Sequence, residues 1–389
     1  MRIAMIGQKG LPARYGGIER HVEQLSLRLG QAGHEVLVYS RAWFGSAAGE
    51  YAPGVRTVIT PTIHTKHLDA ITHTFVSTFY ALRSGVDVIH YHGVGPSLLA
   101  WIPRLLAPRV RVISTFHCID ARQRKWGRLA KFALRMGERC ACWFPHRTVT
   151  VARWLQEYCR DSYQRACDYV PNGVESVERS NSDNDTKTLA EFGLEPNGYV
   201  LMVARLLPDK GAHHLVRAYQ ELRRQNKTRG KKLVIVGGSA FTMDYVDQLL
   251  QLVEGESDIV LTGYQHGSVL EALFANAYLV AHPSETEGLP ITILEAMSYG
   301  RAVLASNIPE NLEVTRGQAI NFNNRDVADL TAKLDFMLAA PDLVARLGEQ
   351  SQQYVLQNYN WDDVAVGVAD VYHRAAASEK SASVEHLPA

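Results

Sequence analysis

The chain reads as an α/β protein made of two doubly wound domains, each a parallel sheet with helices on both faces. Three observations point there: a length of 389 residues, short β-rich runs alternating with helical patterns, and one break after which the alternation starts again. At roughly 150 residues per domain, that length allows two to three cores.

The runs Arg2 to Gly7 and Glu35 to Ser40 enclose Ile18, Val22, Leu25 and Leu29, spaced by four, three and four residues. That spacing puts the four on one helix face, so the segment is strand, loop, helix, strand. Val86 to Tyr91, Arg111 to Phe116 and Arg147 to Val151 are further strand-like runs, each followed by a helix-compatible segment. Pro171-Asn172-Gly173 is a turn signal, and Ser176 to Lys187 holds almost no apolar residue. Alternation then resumes with Tyr199 to Ala204, Lys232 to Gly237, Asp258 to Leu261, Ala277 to Ala281 and Ala302 to Ser306, and turns mostly helical after Asp326. The expected domains are 1–175 and 191–360, with a linker at 176–190. A C-terminal helix at 361–378, with packing back on the first domain as one option, and a flexible tail at 379–389 complete the chain.

Apolar residues at 46% and charged residues at 21% exclude a disordered chain or a coiled-coil rod. The longest uncharged stretch, Val88 to Pro103, carries His90 and His92. It falls short of the roughly 20 apolar residues of a spanning helix. Met1 to Gly7 lacks a secretory pattern, so a cytoplasmic location is expected. Cys118, Cys140, Cys142, Cys159 and Cys167 include no CxxC pair, which points to free thiols rather than a disulfide framework or zinc site. Residues 1–170 hold 23 Lys+Arg against 11 Asp+Glu, a net of +12, and the remainder nets −11. Such asymmetry suggests that the first half faces an anionic partner.

Ligands of open α/β sheets bind at the carboxyl ends of strands, so the loops there are the candidates. After the first strand, Gly16 and Gly17 precede the helix near Ile18, where backbone N–H groups can approach a phosphate or sugar, or merely make a turn. The spacing is not GxGxxG, which weakens a nicotinamide reading. After Tyr199 to Ala204, Arg205 and Lys210 can converge on one diphosphate, or sit as solvated cations. In Ser284 to Ala296, Pro290 suits the first turn of a helix, so Gly288 and Leu289 are expected to offer free N–H groups, with Glu287 just before it. Glu295 is expected to be buried among Ile293, Leu294, Ala296 and Met297 and to need a partner, such as ligand hydroxyls. A capping role for Glu287 and an internal salt bridge for Glu295 are the plainer alternatives. His117 ends the Arg111 strand, and Asp120 beside it could orient it or hold an acceptor hydroxyl.

Together these loops resemble one family. Glu287-Gly288-Leu289-Pro290 followed by Glu295-Ala296-Met297, with Arg205, Lys210 and Gly16-Gly17, is similar to the signature of retaining GT-B glycosyltransferases of family 4. Gly10 to Gly17 and Arg122 to Gly127 resemble a bacterial polysaccharide branch that includes rhamnosyltransferases. That branch usually has Gly and Trp at the positions of Cys118 and Ala121. The resemblance implies two Rossmann-like domains facing a central cleft, with donor on the C-terminal and acceptor on the N-terminal domain. It implies a nucleoside-diphosphate sugar donor, dTDP-rhamnose among the candidates, and a saccharide or lipid-diphosphate-linked acceptor in bacterial surface polysaccharide assembly. Arg205 and Lys210 would neutralise the leaving diphosphate without a metal or other cofactor; Glu295 would take ribose hydroxyls, Glu287 sugar hydroxyls, and Tyr264-Gln265 would lie near the base. His117 would position the sugar or support developing charge, not act as general base.

Asp183-Asn184-Asp185 is an apparent DxD, read as solvated linker. Arg124, Arg128, Lys131, Arg135 and Arg139 recur at steps of four, three, four and four, one stripe of a helix beside Leu129, Phe132, Met136, Cys140 and Trp143. This stripe is either an ordinary surface face with its apolar side in the core or a peripheral contact with an anionic membrane at the inner leaflet. A nucleotide-sugar epimerase is the competing enzyme; a non-enzymatic anion binder is the other rival. No nucleic-acid module is visible.

Overall fold

The computed structural model describes residues 1–13, 16–65, 68–124, 126–176, 183–239 and 242–384. Two compact units form, one from Met1–Gly173 with Trp361–Ala389, the other from Val174–Asn360.

In the first unit the strands are β1 (Arg2–Ile6), β2 (Glu35–Arg41), β3 (Gly49–Ala52), β4 (Val55–Thr60), β5 (Val88–His92), β6 (Arg111–Phe116), β7 (Arg147–Thr150) and β8 (Asp168–Tyr169). They make one sheet in the order β3-β4-β2-β1-β5-β6-β7-β8. Every neighbouring pair is parallel except β3 with β4. Alternation along β1 shows why the sheet is covered twice. Ile3 and Met5 enter a cluster with Val22, Leu25 and Leu29 of the Gly17–Gln31 helix and with Val364, Val368, Val371 and Tyr372 of the C-terminal helix. Ala4 and Ile6 face the other way, into a cluster with Ala81 of the Asp69–Arg83 helix and Ala100. All four β1 residues are fully buried, and burying a side chain such as Ile or Met is worth about 1.5–3 kcal/mol.

The second unit holds β9 (Tyr199–Val203), β10 (Lys232–Val236), β11 (Ile259–Gly263), β12 (Leu279–His282), β13 (Ala302–Ser306) and β14 (Ile320–Phe322). Their order is β11-β10-β9-β12-β13-β14, all parallel. Relabelled within the unit this is 3-2-1-4-5-6, the doubly wound order of dinucleotide-binding folds.

Three expectations need correction. The stretch read as linker carries a helix over Asp183–Glu191, and Asp185, read as solvated loop, accepts from Asn276 Nδ2 at 3.4 Å. Helix formation here follows from Leu189, which is fully buried and anchors an otherwise polar segment. The C-terminal helix runs Trp361–Val384, past the expected end at 378, and its buried Trp361, Val371, Tyr372 and Ala375 put it in the first unit's core. Residues 385–389 of the expected tail lie outside the described ones, as do Arg14, Tyr15, Lys125 and residues 177–182.

Candidate active site

The second sheet reverses its winding between β9 and β12, and a ligand crevice is expected outside the carboxyl ends of those strands. The turn after β9 presents Lys210 and the loop after β12 presents Glu287. Lys210 Nζ donates to Glu287 Oε1 at 2.5 Å, and His282 Nε2, at the last residue of β12, donates to the same oxygen at 3.0 Å. These side chains are little exposed, 15% for Lys210, 12% for Glu287 and 5% for His282. Burial by itself would push the Glu287 carboxyl up, but the Lys210 charge and the His282 hydrogen bond hold it well below the usual carboxylate range. Lys210 is therefore an ion-pair partner, not the open cleft cation expected beside Arg205. Arg205 is exposed and makes no ion pair among the described residues.

The two loops are packed without spare room. Gly211 has φ 73°, and a Cβ there would collide with the Pro283 carbonyl oxygen. The Glu285 N–H donates to Asp209 O at 2.8 Å, while its carboxylate takes Arg325 Nη2 at 2.6 Å and His214 Nε2 at 3.3 Å. Buried Glu310, in the first turn of the Pro309–Thr315 helix after β13, accepts the Glu287 N–H at 3.4 Å.

Glu295 is half-buried rather than buried. Its helix is Ile291–Ser298, and at 3.6 residues per turn Glu295 shares a face with Ile291 and Thr292, also half-buried, while Ile293, Leu294, Ala296 and Met297 fill the core. Pro290 caps that helix rather than opening its first turn, and Gly288 and Leu289, expected to offer free N–H groups, are buried and partnered. Tyr264 is 39% exposed after β11, and Gln265 Nε2 donates to Thr262 O at 2.9 Å. His282 and Glu310 were not singled out from sequence; His282 had a signal, as the last residue before a candidate loop.

The first sheet reverses between β1 and β5. Gly16, at φ 86°, caps the Gly17–Gln31 helix, and both glycines are exposed, as a backbone approach to ligand needs. The first turn also carries Glu19, buried and accepting the Lys9 N–H at 3.1 Å. His117 follows β6 and is 7% exposed. Its Nε2 meets His92 Nδ1 at 3.3 Å, while Asp120 Oδ1 accepts from Gln123 Nε2 at 2.8 Å and from Cys118 Sγ at 3.4 Å. The partner of that His117 nitrogen is thus a second histidine. His21 lies edge-on to His117, with ring centroids 4.9 Å apart, and His90 packs on His92 at 4.1 Å. Burial pushes all four down, His21 to about 4, His90 to about 3, and His92 and His117 well below the ordinary value, with neighbouring histidines adding to the effect for the last three. His21 was missed in the sequence because it sits on the same helix face as Val22 and Leu25 and looks like core.

The helix of the basic stripe spans Arg128–Trp143, so Arg124 precedes it. Its apolar side divides: Cys140 is buried and Met136 half-buried, while the remaining three residues face outward. Leu129, Phe132 and Trp143 are 82%, 60% and 60% exposed, and the buried residues are Gly137, Glu138, Cys140, Ala141 and Cys142. Arg128, Arg135 and Arg139 are exposed, and Lys131 is half-buried. None of the five cysteines forms a disulfide among the described residues. No helix among the described residues is long and apolar enough to cross a membrane.

Comparison with known proteins places both halves. Residues 15–177 match the model described as Glycosyltransferase Family 4, and residues 185–373 that described as Glycosyl transferases group 1. A GDP-mannose-dependent alpha-(1-6)-phosphatidylinositol monomannoside mannosyltransferase of Mycobacterium tuberculosis is 28% identical over 92% of this chain and 95% of its own. A glycogen synthase of the same organism is 25% identical over 98% and 96%. Among solved structures, sucrose-phosphate synthase from Thermosynechococcus elongatus superposes with a TM-score of 0.81 at 20% identity, covering 97% of this chain and 99% of that one. Anabaena HepE in complex with UDP and glucose gives 0.78 at 18% identity, covering 96% and 100%.

Proposed function

We propose that this glycosyltransferase, a family 4 domain followed by a group 1 domain, moves a sugar from a nucleoside-diphosphate sugar to a saccharide or lipid-linked saccharide with retention of anomeric configuration. One observation carries the reading. Lys210 and Glu287, 77 residues apart in sequence, meet at 2.5 Å at the point where the second sheet reverses its winding.

The donor diphosphate is assigned to Arg205 and Lys210. As the bond from the anomeric carbon to the phosphate oxygen breaks, its electron pair moves onto the phosphate, and two cations fixed there stabilise the growing charge. That role needs no metal ion. The acceptor oxygen bonds to the anomeric carbon on the face the phosphate leaves, and the acceptor proton passes to the phosphate oxygen. The incoming diphosphate also offers Lys210 a second anion, which frees Glu287 Oε1 for a sugar hydroxyl. With Lys210 and His282 beside it, Glu287 is ionised well below neutral pH and so is an acceptor. Glu295 is assigned to ribose hydroxyls, Tyr264 and Gln265 to the base, Gly16 and Gly17 to close backbone approach, His117 to the sugar and Asp120 to the acceptor side.

On the acceptor side, the exposed Leu129, Phe132 and Trp143 beside Arg128, Arg135 and Arg139 support peripheral docking on an anionic membrane. Each basic residue near such a surface adds about 1 kcal/mol. Sedimentation with anionic vesicles should be strong at low salt and lost at high salt.

The sugar is assigned as rhamnose from dTDP-rhamnose on loop resemblance, and GDP-mannose is the second donor because a relative carries it in its name. Incubation with dTDP-rhamnose, GDP-mannose or UDP-glucose should release nucleoside diphosphate only when a saccharide acceptor is present. An isomerised donor without acceptor would replace this reading with an epimerase.

A further inference from the structure

Three imidazoles from three separate elements of the first unit converge on one point. His21 comes from the Gly17–Gln31 helix, His92 from the end of β5 and His117 from just after β6. One ring nitrogen of each lies within 4.8 Å of the other two. His21 and His92 are each 1% exposed, and His117 at 7% is the side from which the point can be reached.

The outer ring atoms are already committed. His21 Nδ1 lies 2.8 Å from Asn172 Oδ1, and His92 Nε2 lies 3.3 Å from Met5 Sδ. An amide oxygen and a thioether both accept, so each ring turns its N–H outward and its lone pair, on His21 Nε2 and His92 Nδ1, inward. That arrangement, an outer acceptor fixing the tautomer of an inner ligand, is how proteins orient metal-binding histidines. His21 Nε2 is buried with no hydrogen-bond partner among the described residues. An orphan acceptor of this kind is rare in a folded protein.

The spacing fits as well. A tetrahedral Zn²⁺ with Zn–N of about 2.0–2.1 Å separates its nitrogens by about 3.3 Å, and His92 Nδ1 to His117 Nε2 is 3.3 Å. A set of neutral nitrogens with no carboxylate suits zinc, cobalt, nickel or copper and not magnesium or calcium. In the second unit, His213, His214 and Glu285 also cluster, but there Arg325 already pairs with Glu285 at 2.6 Å and Tyr245 with His213 at 2.9 Å.

We propose that His21, His92 and His117 form a three-imidazole site for a transition-metal dication of the zinc type, with the fourth position open on the His117 side. Occupancy takes the His117 nitrogen away from the sugar, so the metal inhibits transfer. Binding is independent of the proposed function; only the inhibition rests on it.

The test is a Co²⁺ titration of the chelator-stripped full chain. One equivalent should bind with the visible ligand-field bands of tetrahedral cobalt and without a thiolate-to-cobalt charge-transfer band in the near ultraviolet, and Zn²⁺ should displace it. His21→Asn and His92→Asn should each weaken binding at least tenfold, whereas His213→Ala with His214→Ala should leave it unchanged. Absence of one-equivalent binding by the wild-type chain overturns the site, whether or not the variants fold. So does a thiolate band, which would move the metal to the cysteines, or binding that survives in both folded ligand variants. Transfer activity should fall with occupancy in the same samples; full occupancy with undiminished transfer overturns the inhibition and the assignment of His117 to the sugar, and leaves the metal site standing.

Discussion

In the second unit, the reversal between β9 and β12 is lined by a half-buried ion pair, Lys210 with Glu287, and by the donor His282. In the first unit, the reversal between β1 and β5 is lined by His21, His92 and His117, all held neutral at neutral pH. Winding order places both crevices, and side-chain chemistry alone tells them apart. A site that must hold a diphosphate invests in fixed charge. A site that must orient neutral hydroxyls can be built from uncharged donors and acceptors, which avoids the penalty of burying ions without partners.

The largest expected effect removes the charge from the second crevice. Arg205→Ala with Lys210→Ala should stay folded at reduced stability, because Glu287 then keeps only His282 as a side-chain partner, and should lose acceptor-dependent turnover by a factor of roughly 10² to 10⁴, taking about 1.5–3 kcal/mol for each charge-assisted contact. Normal turnover in that variant would place the diphosphate elsewhere.

Somewhat smaller effects should divide the two glutamates. Glu287→Gln should lose most transfer yet bind nucleoside diphosphate normally or more tightly, since Lys210 is released from its partner. Glu295→Gln should weaken the nucleotide itself. Equal weakening by calorimetric titration would show that the roles are wrongly divided.

Acid should separate the units next. His73 and His90, fully buried in the first unit, are pushed down to about 3, by burial and, respectively, by Arg41 and His21. The unfolded chain takes up these protons near the ordinary 6.5, so their stabilising effect is complete above that pH and is lost as pH falls towards 3. Each group can contribute a slope of up to about 1.4 kcal/mol per pH unit in that window. Glu287 is lowered from an ordinary value of 4.5, so its contribution persists until the pH drops below that. With chelator present, hydrogen-exchange protection at pH 5, corrected for intrinsic rates, should fall in the first unit and hold in the second. Equal losses would remove the contrast.

The smallest effect on stability concerns the exposed helix face. Leu129→Ser with Phe132→Ser should change the unfolding free energy by no more than about 0.5 kcal/mol per site, because neither side chain is in the core. The same variant should stop sedimenting with anionic vesicles. A large loss of stability would mean that these residues pack against something within the chain.

Much of this was legible in the sequence. Periodicity located β1, β2, β5, β6, β7 and β9 to β13, because buried parallel strands are long apolar runs. It does not reach β8 and β14, of two and three residues, which are too short to show a period, β3, whose Gly49–Ala52 has no apolar run, or β4, whose Val55–Thr60 carries one. Arg205, Lys210 and Glu287 were legible because loops after strands are where an α/β sheet puts chemistry. The contacts were not. Nothing in spacing says that Lys210 pairs with Glu287, that His282 joins them, or that Glu295 turns to the half-buried face of its helix. Likewise His21, His92 and His117 come from segments that only the winding of the sheet brings together.

The most direct test of the central claim is a titration of one free nucleoside diphosphate into three proteins: the wild type, Glu287→Gln, and Arg205→Ala with Lys210→Ala. The expectation is an affinity in Glu287→Gln equal to or above that of the wild type, and a loss of at least a hundredfold in the double variant. Equal affinity in all three would contradict it, because the diphosphate would then not be held where β9 and β12 part.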